Sequence, residues 1–348
     1  MTTVVDDTAL VFAACAALAV VLITFRRMFV DTTERSRRAD SELIRPLALA
    51  LIAGEDGADA AASKLRRRGR RALTGSLGLY AGQLTGPDLA RISALLEQSG
   101  EVGDEIKALR RSLRGWRRAQ AAYVLGDVGS SLAVPHLLAA LQGDRDRDVR
   151  ACAARSLGRL RSPEATEPLV HALAEHTVPR AVAGRALVSI GAAALPSLKP
   201  LAGSTQPALR TTAAQLIGLL GNSGATDSLL PLLRDTVPAT RAAAAGALGR
   251  IGARPATSKL RERLSDPEPA VRAAAARALG QIGDPEAVPD LLLTAREPGF
   301  EPAREAADAV ARLDPQALAP VEGDGNRHLQ EARDRVRLGL MRPRRGVA

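Results

Sequence analysis

The sequence predicts an all-α protein, an α-solenoid of stacked helix pairs preceded by a single transmembrane helix. Three observations predict it. First, an arginine recurs at Arg118, Arg150, Arg180, Arg210, Arg241 and Arg272, in steps of 32, 30, 30, 31 and 31 residues. Second, a glycine follows each arginine at a spacing of eleven, at Gly129, Gly191, Gly221, Gly252 and Gly283, with Arg161 the one exception. A fixed period of this size is the mark of stacked supersecondary units, none of which buries its apolar face alone. Third, Thr8–Phe25 runs for 18 residues without a charge.

Taken in order, residues 1–7 form a short tail and 8–25 the predicted span. As a helix the span would measure about 27 Å, close to the hydrocarbon thickness of a bilayer. Arg26 and Arg27 follow it directly and can snorkel to headgroups. No Lys or Arg precedes it, so the positive-inside rule places the N-terminus outside and the rest in the cytoplasm. A cleaved signal peptide would need a basic start, where this chain has Asp6 and Asp7. A lipoprotein site at Cys15 would need Phe12-Ala13-Ala14 as its lipobox, and the apolar run continues well beyond it.

Residues 26–41 are a basic juxtamembrane linker. Residues 42–115 are expected to form divergent helical repeats, with helices over Leu43–Ala53, Ala58–Leu73, Ala72–Gln83, Asp88–Gln98 and Asp104–Leu113. Within them lies a run of six basic residues without an acid: Lys64, Arg66, Arg67, Arg68, Arg70 and Arg71. With Arg26 and Arg27 they are candidates for contact with anionic lipid, each worth about 1 kcal/mol near such a surface. A solvated basic helix face is the plainer alternative. Trp116, the only tryptophan, sits where the regular repeats begin and is expected to pack.

Residues 116–322 hold the regular repeats. Pro269–Ala295 shows the unit. Val271, Ala275, Ala278, Leu279 and Ile282 share one helical face, and Val288, Leu291, Leu292 and Ala295 share another. Between them, Gly283 suits a left-handed C′ residue, Asp284 an N-cap and Pro285 the first helical position. Pro302 and Arg304 restart the pattern, but Arg312-Leu313-Asp314-Pro315 replaces the glycine turn. The pattern at Val271–Leu291 resembles the short HEAT-like repeats of the phycobilin-lyase type, over residues 116–315. The resemblance implies a HEAT-like solenoid. It implies no single function, because such repeats serve many roles.

No chemistry emerges from the repeats. Deoxyhypusine hydroxylases, on a similar scaffold, build a di-iron site from His-Glu pairs after the repeat arginine. Here those places hold Ala119-Gln120, Ala151-Cys152, Ala181-Val182, Thr211-Thr212, Ala242-Ala243 and Ala273-Ala274. His171 and His176 are five apart and lack the zinc-helix spacing. Asp144, Asp146 and Asp148 imitate the opening of a calcium loop, but Val149 and Arg155 stand where glycine and a bidentate glutamate belong. That run is better read as a loop capping the next helix. Cys152 reads as a small buried thiol. No catalytic residue, cofactor or metal is implied. The repeat arginines could be a phosphate ladder; their recurrence at one place in every unit favours pairing with the neighbouring repeat.

Residues 323–348 form a basic C-terminal helix and tail, with Leu329, Ala332, Val336 and Leu340 on one face of His328–Leu340. The chain carries a net charge of +10, yet residues 119–326 sum to zero, so the excess lies at the two ends. A neutral solenoid disfavours nucleic acid as partner. The expected function is a non-enzymatic, membrane-tethered scaffold of a bacterial type that binds a protein partner. The expected surface is the second helices, around His136–Leu141, Leu169–Glu175, Leu229–Leu233, Lys259–Leu264 and Asp290–Leu293. A lyase acting on a pigment or cofactor and a nucleic-acid-binding solenoid are the alternatives.

Overall fold

The computed structural model describes residues 44, 46–65, 69, 72–73, 76–77, 86–98, 100–297, 299–321 and 326–341. The predicted span 8–25, Arg26 and Arg27, and Arg66, Arg67, Arg68, Arg70 and Arg71 of the basic run lie outside them. Every regular element among the described residues is helical. The chain divides into two compact units, Met1–Ala133 and Val134–Ala348.

In the first unit residues 46–53 are helical, followed by α1 (Ala58–Ser63), α2 (Pro87–Gln98), α3 (Glu101–Arg111) and α4 (Gly115–Val128). Gly54 and Gly57 adopt positive φ, which ends one helix and opens the next. The helix expected over Ala58–Leu73 is not continuous: α1 stops at Ser63, and the Lys64 N–H closes back on the Ala61 and Ala62 carbonyls. Arg91 of α2 donates to the Leu51 and Ile52 carbonyls, filling acceptors left open at the end of the 46–53 helix. Glu97 accepts from the Ser130 hydroxyl and so ties α2 to the end of α4. Trp116 does not pack as expected; at the start of α4 it is 63% exposed.

The second unit is two rows of helices. The first-helix row comprises α6 (Arg147–Arg159), α8 (Arg180–Ile190), α10 (Pro207–Leu220), α12 (Pro238–Ile251), α14 (Pro269–Ile282) and α16 (Phe300–Leu313). The second-helix row comprises α5 (Val134–Gly143), α7 (Thr166–Ala174), α9 (Leu195–Leu198), α11 (Thr226–Leu229), α13 (Thr257–Glu262) and α15 (Val288–Thr294). From α7 on, each second helix is entered through a short 3-10 turn. Prolines at 200 and 231 lack the N–H that would extend the ladder, so α9 and α11 pass into 3-10 turns after four residues. The core between the rows is aliphatic and small, led by Leu157, Leu169, Leu187, Leu198, Ile217 and Leu229, all fully buried.

Two sequence expectations resolve at the C-terminal end. Asp314 does not replace the turn glycine, since its φ is −146°; its carboxylate accepts the Gln316 and Ala317 N–H groups and caps the segment after α16, as Asp284 caps the segment after α14. The final helix, α17 (Arg327–Arg337), packs on α16 with Leu329 and Ala332 buried, while Leu340 lies beyond it and is 74% exposed. Asn326 caps α17 and donates to the Ala295 carbonyl, and Arg335 pairs with Asp308 at 2.6 Å. Among the described residues, one helical run, Arg180–Gly203, is long and apolar enough to cross a membrane. It is a helix pair of the stack, turned at Gly191.

Candidate binding surfaces and the arginine ladder

The repeat arginines occupy one place near the start of each first helix. Arg118, Arg150, Arg210, Arg241 and Arg272 each send Nη1 to the backbone carbonyl six residues earlier, at 2.7–3.0 Å. Those carbonyls belong to Ser112, Asp144, Ser204, Asp235 and Asp266. The guanidinium thus holds the loop that leads into its own helix. In Arg150, Arg210, Arg241 and Arg272 a further donor reaches the following loop. Arg210 makes a two-point contact with the Asp235 carboxylate, Arg241 makes one with Asp266, and Arg150 donates to the Thr177 carbonyl. Arg272 reaches Glu297 more loosely, at 3.8 Å.

Asp235 and Asp266 are the joints of this ladder. Each carboxylate receives the arginine of the preceding repeat and the N–H two residues on, while each backbone carbonyl receives the next arginine. Asp266 is 1% exposed at the side chain. Burial pushes its carboxyl up, but hydrogen bonds from Arg241 and the Glu268 N–H, with the Arg241 and Arg263 charges, outweigh burial and hold it below the usual range. The Arg210 hydrogen bond chiefly lowers Asp235. Sequence reasoning did not single these aspartates out. Their signal was available: Asp six before the arginine at 144, 235 and 266.

The turn glycines Gly129, Gly191, Gly221, Gly252 and Gly283 all take positive φ, between 66° and 86°. The exception keeps the geometry without the glycine: Arg161 sits at φ 50°, and the Ser162 N–H closes on the Leu157 carbonyl as Ala253 does on Leu248. A second set of glycines does different work. A Cβ at Gly158, Gly218, Gly249 or Gly280 would fall 2.6–3.0 Å from the Cα of Ala186, Ala247, Ala278 or Ala309 on the next first helix. These are the points where successive first helices touch most closely.

Arg180 breaks the ladder. Its loop contains His176 at φ 54°, and among the described residues Arg180 makes neither the carbonyl nor the carboxylate bond of its counterparts. It lies 3.4 Å from the His176 ring instead.

Of the other residues noted in the sequence, Asp146 caps α6 by accepting the Asp148 N–H, and Asp144 accepts the Asp146 N–H. Cys152 is half-buried rather than buried as expected, and that partial burial pushes its thiol up. Lys64, the member of the basic run among the described residues, is exposed. Among the described residues, no group of three His, Cys, Asp or Glu side chains is placed to hold a metal ion.

On the second-helix row, the stretches named from sequence divide by face. Leu137, Leu141, Leu169, Leu173, Leu229, Leu233, Leu260, Leu264 and Leu291 point into the core. The outward side carries His171, Pro231, Glu262 and Leu293. Arg234 pairs with Glu262, and Arg261 with Asp290, along the row. A shallow pocket of about 430 Å³ between α13 and α15 is lined by Arg261, Glu262, Asp290, Leu293 and Glu297 among others. Leu293 is 63% exposed at its mouth.

The chain matches the family described as HEAT repeats over residues 106–188 and 226–312. No curated protein sequence matches it. Among solved structures, it is similar to a Kap121p mutant at 14% identity and TM-score 0.53, over 83% of this chain and 38% of that one. It is also similar to human deoxyhypusine hydroxylase, at 18% identity and TM-score 0.32 over 80% and 98% of the two chains. The complex of CpcE and CpcF of phycocyanin lyase from Nostoc matches at 24% identity and TM-score 0.32, over 69% and 88%. At 14% identity the likeness to the Kap121p mutant speaks to fold alone.

Proposed function

We propose that this HEAT-repeat protein is a non-enzymatic scaffold, tethered to the cell membrane by residues 8–25, that binds a protein partner through its second-helix row. The observation that carries this reading is the division of labour in the repeats. Arg180 apart, the recurring arginines, aspartates and glycines are engaged in shaping the repeats and joining one to the next. What varies from copy to copy is the outward side of the second helices, where Leu293 opens a pocket flanked by ion pairs. An extended repeat surface of this kind suits a protein ligand. The tether raises the effective concentration of whatever is bound. Arg26, Arg27 and the basic run beginning at Lys64 supply charge for anionic lipid.

A comparison of three ligands tests it. Residues 31–348 are presented to anionic vesicles and to duplex DNA at increasing salt, beside a pull-down of membrane-associated proteins. The scaffold reading expects a recovered protein that is lost with Leu293→Glu. Salt-sensitive DNA binding abolished by neutralising residues 64–71, with no protein recovered, would overturn it.

A further inference from the structure

The broken rung at Arg180 coincides with a gap in the first-helix row. At four junctions a glycine eight residues after the arginine position meets an alanine at close range. Between α8 and α10 those two places hold Val188 and Leu216. Two branched side chains cannot approach as glycine and alanine do, so the helices stand apart. α8 touches α10 far less extensively than α10 touches α12. The gap is a groove of about 1000 Å³ whose exposed lining is mainly apolar. Its apolar wall includes Ala181, Gly184, Val188, Leu216 and Leu219, and Leu219 is 58% exposed.

The charge around the groove has one sign. Arg180 and Arg185 line it, and no Asp or Glu is among its lining residues. Arg180 has left the ladder, and the Arg185 Nε reaches only the Ala181 carbonyl of its own helix, at 3.4 Å. An apolar trough along two helices with cationic residues at its side fits one kind of ligand. We propose that the α8–α10 groove takes an amphipathic α-helix of a protein partner. Its apolar stripe would lie on Ala181, Val188, Leu216 and Leu219, and its carboxylates would face Arg180 and Arg185. Helix-in-groove recognition uses anchors at i, i+3 or i+4, and i+7. This inference rests on the reading of the chain as a protein-binding scaffold, but it concerns the first-helix row, a surface distinct from the pocket at Leu293.

The test uses the full chain in neutral phosphatidylcholine nanodiscs, panned with a phage-displayed random library of peptides about 16 residues long, roughly four helical turns. Lead peptides are then titrated by fluorescence anisotropy. The proposal expects enrichment of sequences with apolar residues at helical spacing and Asp or Glu beside them. Their affinity should fall about tenfold or more with Leu219→Glu and with Arg180→Glu/Arg185→Glu, a loss of about 1.4 kcal/mol or more. Exchanging the peptide's acids for lysine should restore binding to the double arginine variant. All three substituted residues are exposed, so circular dichroism melting should be unchanged in the variants. Leads blocked by Leu293→Glu but indifferent to Leu219→Glu would overturn the groove and leave the scaffold reading standing. Failure to enrich any peptide would count against both.

Discussion

Arg161 shows how strictly the repeat geometry is kept. Other places in the unit tolerate many residues, but the C′ place needs the left-handed conformation, which costs an L-residue roughly 1–2 kcal/mol. Arg161 bears that cost at φ 50°, exposed at the surface. Glycine there would relieve it, less the greater chain entropy that glycine loses on folding. Arg161→Gly should therefore stabilise the protein by about 0.5–1 kcal/mol, read as a rise in the urea midpoint at unchanged slope. A fall in midpoint would show that the arginine side chain contributes something the geometry does not reveal. The periodicity of arginine and glycine made these positions legible in the sequence, including the one that breaks the rule. The aspartates at 235 and 266 were not legible in the same way. Their role depends on a carboxylate reaching back to one repeat while its own carbonyl reaches forward to another, and periodicity within a single unit does not show that.

At the scale of the element, the first helices were predictable in place and face, and the second helices in place more than in extent. Prolines inside the second halves shorten α9 and α11 to four residues and hand them to 3-10 turns. The four glycines that meet Ala186, Ala247, Ala278 and Ala309 stand three residues before the turn position, and the sequence alone assigns them no task of their own. Their actual task is close helix approach, which becomes visible only when the neighbouring repeat is laid beside them. Gly249 is one such case, since a Cβ would meet the Ala278 Cα at 2.7 Å and its Cβ at 2.8 Å. Gly249→Val should force α12 from α14 and destabilise by about 2–3 kcal/mol, the usual range for overpacking. Denaturant unfolding checks this, and an unchanged midpoint would mean the helices yield without cost. The same reasoning explains the open α8–α10 junction, where Val188 and Leu216 already play the part of such a substitution.

For the whole molecule, the ladder links stability to pH with a definite sign. Asp235, Asp266 and Glu305 are all held below their ordinary values in the folded state. The folded form therefore binds fewer protons than the unfolded form in acid. The stability these groups contribute is fully present above the unfolded values, about 3.9 for Asp and 4.3 for Glu, and is lost as pH falls toward the lower folded values. Thermal midpoints should be flat near neutrality and drop below about pH 4.5. Asp266→Asn should lower the midpoint at neutral pH and flatten the acid limb; an unaltered limb would place the coupling elsewhere. The charge map adds that the repeats are neutral while the ends are basic. That pattern suggested a tether and a protein partner, but the site itself was only half legible. The second-helix stretches named from sequence mix core leucines with outward residues, and which leucine faces out is set by packing against the neighbouring repeat.

The central claim is that the second-helix row meets a protein. Photo-crosslinking in cells tests it most directly. A benzophenone side chain is placed in turn at His171, Pro231 and Leu293, and as a control at the exposed first-helix residue Arg147, which lines neither proposed surface. The account predicts a discrete protein adduct from the second-helix positions, strongest at Leu293 and absent at the control. Equal adducts at every position, or adducts to nucleic acid alone, would contradict it.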